Sequence, residues 1–231
     1  MTLNFLRLIF LLPILLLSPL SHSVPDLECI GDSSLPMYGY NQFHKENSCD
    51  KQFIKSALEV TGNNRLKAAQ EVSKRAWEIL LKDGDQGLAI KRFNQAWLLD
   101  RNSVEVFWGF AVWESLRSNT EKAEEFFEKA YSRNSKNSEL LVDYAKFLIE
   151  IGFKKDDEIR IKKARKYLDT AKVLNPNLPS VYVQSASFYV NSGLKLFRKA
   201  WDEVEAGQKI DSKSFPANLI SDLERVYPRK K

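Results

Sequence analysis

The feature that most constrains this chain is a helical stripe written four times. Ala89, Phe93 and Ala96 precede Asp100 and Asn102; Ala123, Phe127 and Ala130 precede Asn134 and Asn137 at a step of 34 residues. A third copy reads Ala164, Leu168, Ala171, Asn175 and Pro176, and a fourth Ala200, Val204, Gly207 and Asp211, at steps of 41 and 36 residues. Positions i, i+4 and i+7 share one face of a helix, so each copy sets small residues around one large residue and lets a neighbouring helix come close. Asp or Asn then ends one helix and caps the next; Asn102 with Glu105 three residues on has the spacing of a capping box. Upstream of each stripe a partner helix brings its own small residue: Ala76, Ala111, Ala145 or Ala186. Gly84, Gly152 and Gly193 follow three of these helices, where a tight helix end favours positive φ. The unit is helix, turn, helix, and such units in series make a solenoid with an extended concave surface.

Over residues 64–213 the chain resembles the tetratricopeptide repeat (TPR) family, whose pattern is W-x2-L-G-x2-Y…A-x3-F…P with a period of 34 residues. The second helices carry the match, as Ala89-x3-Phe93-x2-Ala96, Ala123-x3-Phe127-x2-Ala130 and Ala164-x3-Leu168-x2-Ala171-x4-Pro176, and the stretch from Gly84 to Phe110 is the most similar part. Arg101, Ser135 and Ser212 stand where the family prefers proline, Ala76-Trp77 replaces its leucine-glycine pair, and unit four has Val204 and Gly207. The resemblance implies an all-α, right-handed superhelical solenoid of about four TPR-like helix-turn-helix units with N-terminal and C-terminal capping helices. It also implies that the first helix of each pair lines the concave side, one stripe of it meeting the ligand.

Mapped by spacing from the small residues, that stripe is Trp77, Trp108, Val112, Val142, Lys146, Ile149, Val183, Ser187 and Val190. Family members that clamp a peptide carboxylate use several basic and asparagine side chains there; Lys146 alone stands here, so that mode is not expected. The expectation is an apolar groove that receives an extended or helical segment of a protein or peptide partner, with tryptophans as anchors. The competing reading of Trp108, Trp113, Phe107 and Phe110 is interhelical packing, and the register of Trp77 is ambiguous by one residue. A carrier or chaperone for an apolar ligand or unfolded segment, even the chain's own Tyr38–Phe43 arm, is the alternative use of such a groove.

The flanks have other signatures. Residues 1–23 read as a signal peptide: Met1 and Arg7 supply positive charge, Leu8 to Leu17 is a short apolar run, and Ser21-His22-Ser23 offers small residues at the peptidase positions. Cleavage between Ser23 and Val24 is expected, with an uncleaved anchor as the alternative; the apolar run is short of the roughly 20 residues that span a bilayer. The mature chain is then exported, periplasmic or secreted, without a stable membrane span. Cys29 and Cys49, the only cysteines, are expected to pair in such an oxidising compartment; two unpaired thiols are the other possibility. Residues 24–48 form an irregular segment, its Met37, Tyr38, Tyr40 and Phe43 packing over the first helices as a cap, and 49–231 the TPR-like helical domain. Within the latter, Asp50–Val60 and Asn64–Lys82 read as helices, Phe215–Val226 as the closing helix, and Tyr227 onward as solvated tail. The 41-residue step adds charged residues between Gly152 and Ala164 that lengthen the turn and the helix after it.

Chemistry has little to work with. His22 and His44 are the only histidines and His22 leaves with the signal segment, so a nucleophile-histidine-acid relay or a histidine-rich metal site is not expected. Nor does the sequence hold a phosphate-cradling glycine loop, and acid pairs such as Glu124-Glu125 and Asp156-Asp157 lie on solvated helix faces. The expectation is a non-catalytic protein with no cofactor and no metal. Without residues 1–23 the formal charge is 34 − 30 = +4, interleaved in sign, too weak a field for a nucleic-acid track. No stretch after the N-terminus alternates as a strand does, so essentially no sheet is expected.

Overall fold

The computed structural model describes residues 31–39, 45–192 and 196–228. Among these, ten α-helices and no strand occur: α1 (Ser48–Val60), α2 (Arg65–Glu78), α3 (Gln86–Leu99), α4 (Val104–Leu116), α5 (Thr120–Arg133), α6 (Ser138–Lys155), α7 (Glu158–Leu174), α8 (Pro179–Asn191), α9 (Phe197–Ile210) and α10 (Ala217–Val226). They form an all-α solenoid in which α2/α3, α4/α5, α6/α7 and α8/α9 pack as consecutive hairpins. The first helices of these pairs also touch in series, α2 on α4, α4 on α6 and α6 on α8, so they line a common face.

The repeated stripes are the seams of this stack. Ala89, Phe93, Ala96, Ala123, Phe127, Ala130, Ala164, Leu168, Ala171, Ala200 and Val204 are at most 1% exposed, and Ala76, Ala111, Ala145 and Ala186 are fully buried. Aromatic rings fill what the small residues leave, as in the Phe127–Tyr144 stack at 4.7 Å and the Phe110–Phe126 pair at 5.3 Å.

The recurrent Asp or Asn reverses the chain by a mechanism that needs no proline. Asp100, Asn134, Asn175 and Asp211 each accept, through the side-chain oxygen, the backbone N–H two residues on, that of Asn102, Lys136, Asn177 and Lys213, at 2.9 to 3.2 Å. An Asx turn thus closes every second helix. It also displaces the expected Asn102–Glu105 box: Asn102 is engaged in the turn, and Ser103 caps α4 alone by accepting the N–H of Val106. A reciprocal box forms instead at α1, between Asn47 and Asp50.

Glycines behave differently at two of the expected sites. Gly84 ends the π-helical turn Ile79–Asp83 with φ 69°, as the sequence suggests. Gly152 lies inside α6, which runs on to Lys155 and ends at Asp156 with φ 52°. Its role is proximity: a Cβ there would sit 3.0 Å from Ile161 Cγ1 on α7. The charged insertion lengthens α6 and α7 to 18 and 17 residues, and Arg160 ties it down by pairing with Glu124 at 2.6 Å and with Asp157. Gly193 lies outside the described residues.

Both ends are covered. Ile54 of α1 packs on Ala68, Ala69 and Leu99, and Arg65 donates to the carbonyls of Leu98 and Leu99 at 2.8 Å, satisfying the open end of α3. Residues 32–39 turn over α3 with Tyr38 buried, held by Asn94, whose Nδ2 donates to the carbonyls of Leu35 at 2.8 Å and Ser33 at 3.2 Å. This part of the arm is a cap on the outer helices. At the other end Tyr227 is docked, contrary to the expected free tail: its ring stacks on Phe197 and its carbonyl accepts from Trp201 Nε1 at 2.8 Å. The signal cleavage site Ser23/Val24, Cys29 and the remainder of the arm, residues 40–44, fall outside the described residues; Cys49 lies in the first turn of α1.

Candidate partner-binding cleft

Three first helices, α2, α4 and α6, frame a cleft of about 1040 Å³. Its floor is indole. The rings of Trp77 and Trp108 lie 4.8 Å apart, Trp77 stands edge-on to buried Phe93 at 5.3 Å, and Trp108 Nε1 donates to Asp143 Oδ2 at 3.0 Å. The pair is therefore clamped between the core and α6, and its rigidity lowers the entropic cost of binding against it. Val112, Leu81 and Leu116 extend the apolar surface, the two leucines being 72% and 54% exposed. The opposite wall is α6, where Glu139, Asp143, Lys146 and Glu150 follow one another at i, i+4, i+7 and i+11 along one face. Burial pushes the Asp143 carboxyl above its usual range, opposed by the Trp108 N–H and the nearby Lys146, while Glu139 adds to the rise.

No family model matches the sequence, and no curated protein matches it. Among solved structures the chain is similar to TTC0263, a thermophilic TPR protein of Thermus thermophilus, with a TM-score of 0.58 and 14% identity over 69% of this chain and 81% of that one. The chain has the tetratricopeptide-repeat fold. MamA aligns over 79% of this chain and 86% of its own at 14% identity and a TM-score of 0.48. YrrB, described as a TPR protein with an unusual peptide-binding site, aligns over 76% and 92% at 16% identity and a TM-score of 0.47.

Within the TPR array the stripe expected from the sequence is partly brought together. Trp77, Trp108, Val112 and Lys146 line the cleft. Ile149, almost wholly buried, adjoins a shallower depression of about 640 Å³ with Lys146, Phe153, Gln184 and Asn191. Val142 is 2% exposed and belongs to the core, as does Val183, while half-buried Ser187 and Val190 line neither hollow. The 34-residue step does hold for Glu105 and Glu139, Val112 and Lys146, and Leu116 and Glu150, all of which line this cleft; from Trp108 it leads to buried Val142, and the adjacent Asp143 is the side chain that meets the indole. The groove thus joins an apolar floor to a charged wall. The sequence reading missed that wall, although Glu139, Asp143, Lys146 and Glu150 already formed a polar stripe of helical period. Phe107, Phe110 and Trp113 are core, Trp113 Nε1 donating to the Gln86 carbonyl at 2.9 Å. None of residues 32–39 enters the cleft. Among the described residues no helix is long and apolar enough to cross a membrane.

Proposed function

We propose that this protein is a non-catalytic interaction scaffold that holds a segment of a protein partner in the α2–α4–α6 cleft. One observation carries the reading. On a solenoid whose other seams are packed, two clamped indoles and two exposed leucines remain open side by side. Aromatic anchors in a partly desolvated groove dominate binding energies, so Trp108 is the residue on which recognition rests. The charged α6 wall disfavours the alternative of a carrier for a purely apolar ligand.

The scaffold works in an exported compartment, its N-terminal segment being removed between Ser23 and Val24. Support comes from the short apolar run behind Arg7. A Cys29–Cys49 disulfide joins the 24–48 segment to α1; no described cysteine is free, and Cys29 is the one other cysteine in the chain. The test is crosslinking and pull-down from the envelope fraction with wild type and Trp108→Ala. Loss of a defined partner from the variant is expected; recovery of the same proteins equally well overturns the groove. Intact mass of the exported protein should begin at Val24 with two hydrogens fewer than the reduced chain.

A further inference from the structure

The cleft carries chemistry that an apolar anchor leaves unused. Glu105, Glu139, Asp143 and Glu150 face into it against Lys74 and Lys146, an acidic balance on a chain whose formal net charge is +5. Among the described residues none of these six forms an ion pair, whereas outer-face carboxylates do so readily, as Glu125 with Lys129 and Glu203 with Lys172, each at 2.6 Å. Asp143 gives Oδ2 to the Trp108 indole and makes no hydrogen bond through Oδ1. Independently of these acids, Ser73 lines the same cleft one turn before Trp77, is 2% exposed, and its Oγ has no hydrogen-bond partner. A buried hydroxyl left unmet is costly, so an occupant that brings a backbone N–H or carbonyl to it gains what the empty cleft lacks.

We infer that the occupant is an internal protein segment in which a lysine or arginine adjoins a bulky apolar side chain. The apolar group covers the Trp77–Trp108 faces, the cation reaches Asp143 Oδ1 with Glu139 and Glu150 beside it, and Ser73 bonds the segment's backbone. This specificity rests on the cleft being the partner site.

The test uses the full chain and three capped fluorescent peptides read by anisotropy, built on the repeats Leu-Lys-Ser, Leu-Glu-Ser and Ser-Lys-Ser. The Leu-Lys-Ser probe should bind at least about tenfold tighter than either counterpart, more so at low salt. Glu139→Gln with Glu150→Gln, both exposed and free of ion pairs, should remove most of that preference while the fold persists. A Leu-Glu-Ser probe that binds as tightly or more tightly, the direction the net charge of +5 favours, overturns the inference. If both leucine probes bind equally and exposed Leu116→Ser weakens both, the cation preference falls and the groove stands. Should no probe bind, or Trp108→Ala and Leu116→Ser change nothing, the groove falls and the preference with it.

Discussion

At the scale of single residues, Gly109 decides how closely α4 lies on α3. A Cβ at this position would stand 2.6 Å from Phe93 Cδ1 and nearer still to Cε1 and Cζ. Phe93 cannot yield, being fully buried against Trp77 at 5.3 Å and Phe110 at 6.2 Å. Gly109→Ala should therefore destabilise by about 1–3 kcal/mol through overpacking, seen as a lowered urea midpoint. An unchanged midpoint would mean the helices separate at no cost. Glu114 governs a pH effect. It is 5% exposed, and burial pushes its carboxyl up, against the Asn119 amide that donates to it at 3.0 Å and the nearby Arg117 and Lys122. A raised folded-state pKa means that the fold binds this proton more tightly than the unfolded chain does. Its stabilising contribution is complete below the unfolded value and is lost as pH rises through the folded one. Glu114→Gln cannot ionise, so it should gain stability relative to wild type as pH rises from the ordinary glutamate range through the raised folded-state value. A difference in unfolding midpoint that is constant with pH would refute this assignment.

At the scale of elements, the turn 32–39 depends on one polar side chain of α3. Asn94 is fully buried and reaches the carbonyls of Ser33 and Leu35 as well as the N–H of Tyr38, at 3.4 Å. Asn94→Ala removes the donor to the Ser33 carbonyl and one of the two to that of Leu35, which keeps the Tyr38 N–H at 3.1 Å, a loss of about 1 kcal/mol, and should expose Tyr38 to chymotrypsin at protease concentrations where wild type resists. Equal cleavage of the two proteins would show that the Tyr38 ring alone holds the cap. These elements also show what the sequence discloses. The Ala-x3-Phe-x2-Ala stripes were readable because a seam between close helices admits few residue types at helical spacing. The reversals were readable too, in Asp100, Asn134, Asn175 and Asp211, since the Asx turn is made by the residue itself. The partner of the indole was not, because the 34-residue step that carries Val112 onto Lys146 and Leu116 onto Glu150 within the cleft carries Trp108 onto core residue Val142, and packing between successive helices brings Asp143 to the ring instead. The packing of Tyr38 as a cap was readable from the apolar anchors of the arm, whereas its seat beside Asn94 on α3 was not, although a helix that buries Asn94 and Gln95 advertises an unusual partner.

At the scale of the molecule, each unit of a solenoid is stabilised only by its neighbours, so the array should open from its weaker end. The C-terminal end is closed by α10, which buries a single side chain fully, Leu223, and by the Trp201 Nε1 bond to the Tyr227 carbonyl at 2.8 Å. The cleft lies on α2, α4 and α6, beyond the next hairpin. Leu223→Ala removes that plug and should cost about 2 kcal/mol or more locally, equivalent to a roughly 30-fold rise in the opening of the last unit. Native-state hydrogen exchange should then accelerate by that order in α8, α9 and α10 while α2 to α5 keep their protection, and binding of a partner segment at the cleft should be unaltered. A uniform acceleration over all ten helices would instead make the whole array a single cooperative unit. In that case a change at the far end would reach Trp77 and Trp108 through global stability, and the cleft could not be tuned independently of the cap.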